Sequence, residues 1–382
     1  MSTQVSVKPF SEERVKGAHW VDERGKAFKN PWDSFEQFKT TEILKFQWQM
    51  LTGKDETLKQ AKSLIPHMVP TFGHSQPRED LKVTWLGHAA SLVELPTRPG
   101  NTDELKGRGV RVLFDPVLLD KMFHGIGPKR QSTVPCEISD LPEVDVIAIS
   151  HNHYDHLDLA SLTEIFATQQ SKYDKQPLLF LPLNNWHVVS GLGLPRDRVL
   201  EMDWWDEREV VVEGVGEVKI VCTPCQHSTA RTGWDRDNSL WSSWVLKDPH
   251  TSASVWFGGD TGYCNTKTDT HDLEEVSKYP VCPAFKQIGE RLGPFTMGLI
   301  PIGAYKSRQV MSPLHASPID SVRMFKDTKC EQAIGIHWGT FRMTPERFTE
   351  PPERLKVAAE AVGLKEDVFT VVAIGETRSY KV

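Results

Sequence analysis

The chain has 382 residues, enough for one large or two ordinary domains with a substantial core. Its 39% hydrophobic and 25% charged residues exclude a disordered chain, and a net charge of -6 argues against a general nucleic-acid binder, so no nucleic-acid partner is expected. No apolar run approaches the roughly 20 residues that cross a bilayer. The first residues lack the apolar core of a secretory signal, and Glu12 and Glu13 suit a mitochondrial presequence poorly. The expected location is therefore intracellular, either cytoplasmic or peripheral on an internal membrane, with mitochondria left open.

Residues 1–80 read as an N-terminal extension, partly helical and partly irregular, rich in aromatics and poor in strand-like runs. After the Asn30-Pro31 turn, Ser34 is placed to cap a helix through Phe35, Phe38, Ile43, Leu44, Phe46, Trp48 and Leu51. The aromatics have two readings, an arm packed on the remainder of the chain or a surface that touches lipid. From Leu81 to Val382 the pattern changes to short β-rich runs, which we read as one catalytic domain. Val83–Leu95 predicts two strands hinged at Gly87-His88, with further strands at Gly109–Pro116 and Asp145–Ile149. Leu159–Gln169 reads as a helix, followed by strands at Leu178–Pro182 and Val199–Met202. A second set covers Val218–Pro224, Leu240–Leu246, Ser252–Phe257, Met297–Ile302 and Ala333–Gly339, with Val368–Ile374 last. Helices outside two facing sheets, an α/β fold, accommodate this order.

The chemistry concentrates in S-H-N-H-Y-D-H-L-D, Ser150 to Asp158, at the carboxyl end of a buried strand. His151, His153, Asp155 and His156 there form an N/O donor set suited to zinc and tolerable for manganese or iron. His227, Asp260 and His337 each stand at or near the end of a separate apolar strand, beside small residues that let the backbone turn. Cys222 and Cys225 form a lone C-x-x-C, better read as packing beside His227 than as a redox or zinc pair. The remaining cysteines, Cys136, Cys264, Cys282 and Cys330, have no disulfide spacing.

H-x-H-x-D-H followed by a strand-end His, a strand-end Asp and a final His resembles the metallo-β-lactamase superfamily. The resemblance implies an αββα sandwich with two zinc ions. His151, His153 and His227 would bind the first and Asp155, His156 and His337 the second, with Asp260 bridging. Longer motifs narrow it. T-W-L-G-H-A from Thr84, I-G-P-K-R from Ile126, I-S-x-L-P from Ile138, D-W-W from Asp203, T-P-x-Q-H from Thr223, G-D-T-G-Y-C from Gly259, I-P-I-G-A-Y from Ile300, I-H-W-G-T-F from Ile336 and E-P-P from Glu350 keep their order. Together they resemble the N-acylphosphatidylethanolamine-hydrolysing phospholipase D family. That implies a zinc-dependent phosphodiesterase of lipid metabolism releasing N-acylethanolamine and phosphatidic acid. It also implies a phospholipid substrate, peripheral membrane contact and a homodimer. Asp155 would handle a proton, and His315 would serve as the catalytic-site histidine contacting phosphate or leaving group. His88 is expected to support a ligand or to be structural rather than to be a ligand itself. The alternative is a hydrolase of the same fold acting on a soluble lactone or phosphodiester. The chain departs from the family pattern at His124-Gly125-Ile126 and at Ser307, and carries a polar insertion between Cys264 and Cys282, read as a lid or, preferably, a surface excursion.

Overall fold

The computed structural model describes residues 4–10, 16–37, 46, 48–50, 52, 55–98, 107–122, 128–232 and 234–382. The departure at His124-Gly125-Ile126 and much of the expected helix around Ile43 lie outside them.

Two mixed sheets face each other. The first holds seven strands in the order β15-β2-β3-β4-β5-β6-β7, built from Thr377–Tyr380 (β15), Leu81–Gly87 (β2), Ala90–Glu94 (β3), Arg111–Phe114 (β4), Val146–Ala148 (β5), Leu178–Pro182 (β6) and Val199–Met202 (β7). The second holds eight in the order β1-β8-β9-β10-β11-β12-β13-β14. These are Val5–Val7 (β1), Glu207–Val212 (β8), Gly216–Thr223 (β9), Ser243–Lys247 (β10), Ser254–Phe257 (β11), Phe295–Pro301 (β12), Cys330–Ile336 (β13) and Phe369–Thr370 (β14). Helices α1 (Leu159–Tyr173), α2 (Ala284–Arg291), α3 (Pro318–Asp327) and α4 (Glu350–Ala361) complete the αββα sandwich.

Strand alternation explains the layering. In the first sheet Trp85, Val93, Val112, Phe114, Val146, Ala148 and Phe180 join the core shared with the second sheet. Their neighbours Leu86, Leu92, Leu113, Ile147 and Leu179 turn the other way, onto Leu162 and Ile165 of α1. The rings of Phe114 and Phe257 stack across the two sheets with centroids 4.4 Å apart. Most tryptophans are core, but Trp48 and Trp234 are 67% and 95% exposed.

Three expectations need adjustment. Ser34 starts no helix; it is buried and its Oγ donates to Gln226 Oε1 at 2.5 Å. Val368–Ile374 is a strand for only two residues, because Ile374 leaves the sheet to bond Pro66 and Met68 of the N-terminal segment. The chain then crosses to the first sheet, where β15 pairs antiparallel with β2. At the other end, β1 pairs antiparallel with β8 as an edge strand. The N-terminal segment also grips the sandwich through Asp203, which accepts from His19 Nε2 at 2.6 Å and Trp20 Nε1 at 2.9 Å, while Trp32 stacks on Trp204.

Candidate metal centre

Each functional side chain leaves the end of a strand. After β5 the chain forms a tight turn in which His156 and Leu157 N–H both bond the His153 carbonyl, and Asp158 then caps α1 by accepting from Ser161 N–H at 2.9 Å. This compression puts four donor side chains in one turn. His227 follows β9, Asp260 follows β11 and His337 follows β13. Gly259, at φ +59°, must be glycine: a Cβ there would lie 2.7 Å from Ser150 Cβ. That close approach brings Asp260 to the His151–His156 turn.

The residues gather into two adjoining clusters. In one, His153 Nδ1 lies 2.8 Å from His151 Nε2 and 3.3 Å from His227 Nε2. In the other, Asp155 Oδ2 lies 3.5 Å from His156 Nε2 and 3.6 Å from His337 Nε2. Asp260 stands between them. Its Oδ2 is 3.2 Å from His156, 3.9 Å from His227 and 4.0 Å from His151, and its Oδ1 is 2.9 Å from His337 Nε2. All seven predicted ligands are thus brought together, every one buried except the partly accessible His153. His315 joins them at the rim, its Nδ1 3.8 Å from Asp260 Oδ2 and its ring 5.2 Å from that of His227.

The outer partners set the tautomers. His156 Nδ1 donates to Asp115 Oδ2 at 2.7 Å and His227 Nδ1 to the Leu314 carbonyl at 2.9 Å. Ser150 Oγ donates to Asp115 Oδ2, so it accepts from His151 Nδ1 at 2.9 Å. Each of these imidazoles therefore turns the Nε2 lone pair inward, as a metal ligand must. The inward atoms His156 Nε2, His337 Nε2 and Asp260 Oδ1 are buried without a hydrogen bond. Such orphans are rare in protein interiors, and a cation among them would satisfy all three. The N/O donor set fits zinc.

Charge tells the same story. Burial pushes His151 and His227 well below the usual imidazole range and His315 down to about 4. Burial opposes ionisation of Asp260, yet the His156, His337 and His315 imidazoles hold its carboxyl well below the ordinary range. Burial likewise disfavours charge on His337, but Asp260 and Asp155 push it up to about 9. The two carboxylates thus demand positive charge at the centre of the site, which a bound dication would supply in place of protons.

Sequence reasoning passed over Asp115, the residue that ties the turn down. It is fully buried, accepts Ser150 N–H at 2.7 Å and Ser150 Oγ at 2.6 Å, and orients His156. Its signal was available, since it ends strand β4 as Asp260 ends β11. Replacing Asp115 by alanine is expected to lower metal affinity and activity about 10–100-fold, the usual cost of losing such a partner; equilibrium competition with a chelator would show it. Other motifs turn away from the metals. Arg308 is buried in an ion pair with Asp320, Nη2 to Oδ2 2.6 Å. The 265–281 insertion packs on the same segment, through Asp269 accepting Arg308 N–H and His271 edge-on to Tyr305. All six cysteines are free, and burial pushes the Cys222 and Cys225 thiols up, which leaves them unreactive.

Residues 110–338 match the Beta-lactamase superfamily domain. The chain is 34% identical over 367 residues to N-acyl-phosphatidylethanolamine-hydrolyzing phospholipase D 1 of Caenorhabditis elegans, covering 92% of each chain. It belongs to the N-acylphosphatidylethanolamine-hydrolysing phospholipase D family of the metallo-β-lactamase superfamily. The mitochondrial phospholipase D of that name from Saccharomyces cerevisiae is 29% identical over 90% of this chain and 73% of its own. Among solved structures, an isothiocyanate hydrolase from Delia radicum gut bacteria superposes with a TM-score of 0.53 at 18% identity, covering 79% of this chain and 100% of its own. It shares the fold. As a family member the chain is a metal-dependent hydrolase. Among the described residues no helix is long and apolar enough to cross a membrane.

Proposed function

We propose that this phospholipase D family member uses two zinc ions to hydrolyse N-acylphosphatidylethanolamine to phosphatidic acid and N-acylethanolamine. The observation that carries the proposal is Asp260, within 4.0 Å of a ligand nitrogen in both clusters, in a chain that matches its nematode relative over nearly the full length of both. Two ions held there would supply hydroxide near neutral pH and stabilise charge on phosphoryl oxygens. The remaining work falls to the chain. Asp155, a buried carboxylate that the His156 imidazole holds ionised, accepts the proton of the water whose oxygen bonds to phosphorus. The bond from phosphorus to the ethanolamine oxygen breaks, and a proton returns to that oxygen. His315, a neutral imidazole at the rim, contacts the phosphoryl oxygens or the leaving group.

The amphiphilic substrate fits one further feature. Trp234 is 95% exposed, on a loop braced to the metal turn. Arg231 donates to the Asn152 and Leu157 carbonyls at 2.9 Å, stacks on Tyr154, and its carbonyl accepts from the Tyr154 hydroxyl. An exposed indole on the loop that Arg231 braces suits a lipid interface, and peripheral contact with a membrane follows from this reading. Trp234→Ser should lower turnover on vesicles severalfold more than on detergent-dispersed substrate; equal losses would remove it from the interface. Deleting residues 1 to about 50 is the poorer test. It would also remove Asn30, whose side chain donates to the His227 carbonyl at 2.7 Å, and Ser34, which holds Gln226. The assay for the function itself compares N-acylphosphatidylethanolamine, phosphatidylcholine and an acyl-homoserine lactone on one metal-loaded preparation. Phosphatidic acid from the first alone supports the proposal, and turnover of the lactone alone overturns it.

A further inference from the structure

We infer that His88 is a positioning residue for the second cluster, holding Asp155 through its side chain and His337 through its backbone. The inference rests on the two-cluster metal reading above. His88 follows strand β2 with φ +52°, a left-handed backbone conformation that glycine or asparagine takes at less cost than histidine. Retained strain of this kind points to a side chain that is needed where it stands. The ring is 2% exposed, packed between His337, whose centroid is 4.0 Å away, and the edge of Phe341 at 5.2 Å.

Three groups of this one residue reach two separate ligand segments. The Nε2 donates to Asp155 Oδ2 at 3.0 Å. The carbonyl accepts His337 N–H at 2.8 Å and the Trp85 indole N–H at 2.8 Å. The backbone N–H donates to Thr340 Oγ1 at 2.7 Å, three residues beyond His337. The turn after β5 and the loop after β13 are therefore set against each other by the Gly87-His88 hinge. Asp155 Oδ2 is also the oxygen facing His156 Nε2 and His337 Nε2. A hydrogen bond from His88 occupies one lone pair of that oxygen and presents the other to a cation, the arrangement that ligating carboxylates require.

Two variants separate positioning from other roles. His88→Asn suits the left-handed backbone but is too short to reach Asp155, whereas His88→Gln carries its amide N–H to about the place of the imidazole Nε2. Each is titrated with Co²⁺ against a chelator, the visible spectrum is recorded, and the apo form is melted. His88→Asn is expected to melt in one cooperative transition as apo protein, as wild type does, yet to bind one of its two Co²⁺ equivalents about 10–100-fold more weakly. His88→Gln should recover most of that affinity with the wild-type spectrum when fully loaded. Wild-type affinity in His88→Asn would overturn the inference. So would loss of one equivalent in both variants with the same altered spectrum, which would make His88 a direct ligand. No lipid enters the titration, so a failure of the phospholipase reading leaves this result standing on its own.

Discussion

Asp260→Ala is expected to lose bound metal and hydrolytic activity together, leaving turnover at the level of chelator-treated protein. Its carboxylate stands within 4.0 Å of a donor nitrogen in both clusters and carries negative charge that His156 and His337 face from one side and His227 and His315 from the other. Removing it leaves a group of buried imidazoles with only Asp155 and Asp115 to balance a cation. Repulsion between two dications would then be unscreened, so occupancy of at least one falls. Elemental analysis after gel filtration, alongside the lipid assay, checks the prediction. A variant that kept both metals and activity would remove Asp260 from the bridging position.

The second large effect concerns stability. Asp145 opens the segment that leads into β5 and the metal turn, and it is completely buried. Its carboxylate pairs with Arg108 Nη1 at 2.6 Å and Lys175 Nζ at 2.6 Å, and accepts Arg111 N–H at 2.9 Å. Asp145→Ala leaves the buried Arg108 and Lys175 to share Glu143, which pairs with each at 3.0 Å, and should cost about 3 kcal/mol, the lower end for breaking a buried pair. Denaturant titration would measure it. The exposed pair Arg378–Glu376 offers the contrast, since Arg378→Ala should stay within about 1 kcal/mol. Burial opposes ionisation of Asp145, but Arg108 and Lys175 hold its carboxyl below the ordinary range. A depressed carboxyl stabilises the fold above its unfolded pKa and loses that contribution as pH falls through its folded value. The gap between wild type and Asp145→Asn should therefore narrow on acidification below about pH 4, the ordinary Asp pKa. A gap that widened there would contradict the pairing.

The ease of reading this chain varied with how local each signal is. His151 to His156 announced themselves because four donor residues share one turn. His227, Asp260 and His337 were legible as polar residues closing apolar strands. Asp115 sits in the same context but went unnoticed, because its partners, Ser150 and His156, are 35 and 41 residues away and meet it only once β4 and β5 pair. His88 was legible as a supporting or structural residue, but the groups it holds were not, because Asp155 and His337 reach it from two other strands. The edge strands β1 and β15 were hidden because they are short and partly polar, with no continuous apolar run. Ser34 misled for a physical reason. A serine before an aromatic run makes a good cap on paper, but here a buried glutamine beside the metal turn captures its hydroxyl.

Hydrolysis in ¹⁸O-labelled water tests the account most directly. Metal-loaded protein acting on N-acylphosphatidylethanolamine should release phosphatidic acid carrying one ¹⁸O on phosphorus and unlabelled N-acylethanolamine, and a chelator should abolish both. Label in the N-acylethanolamine, or the absence of phosphatidic acid under metal-loaded conditions, would contradict it.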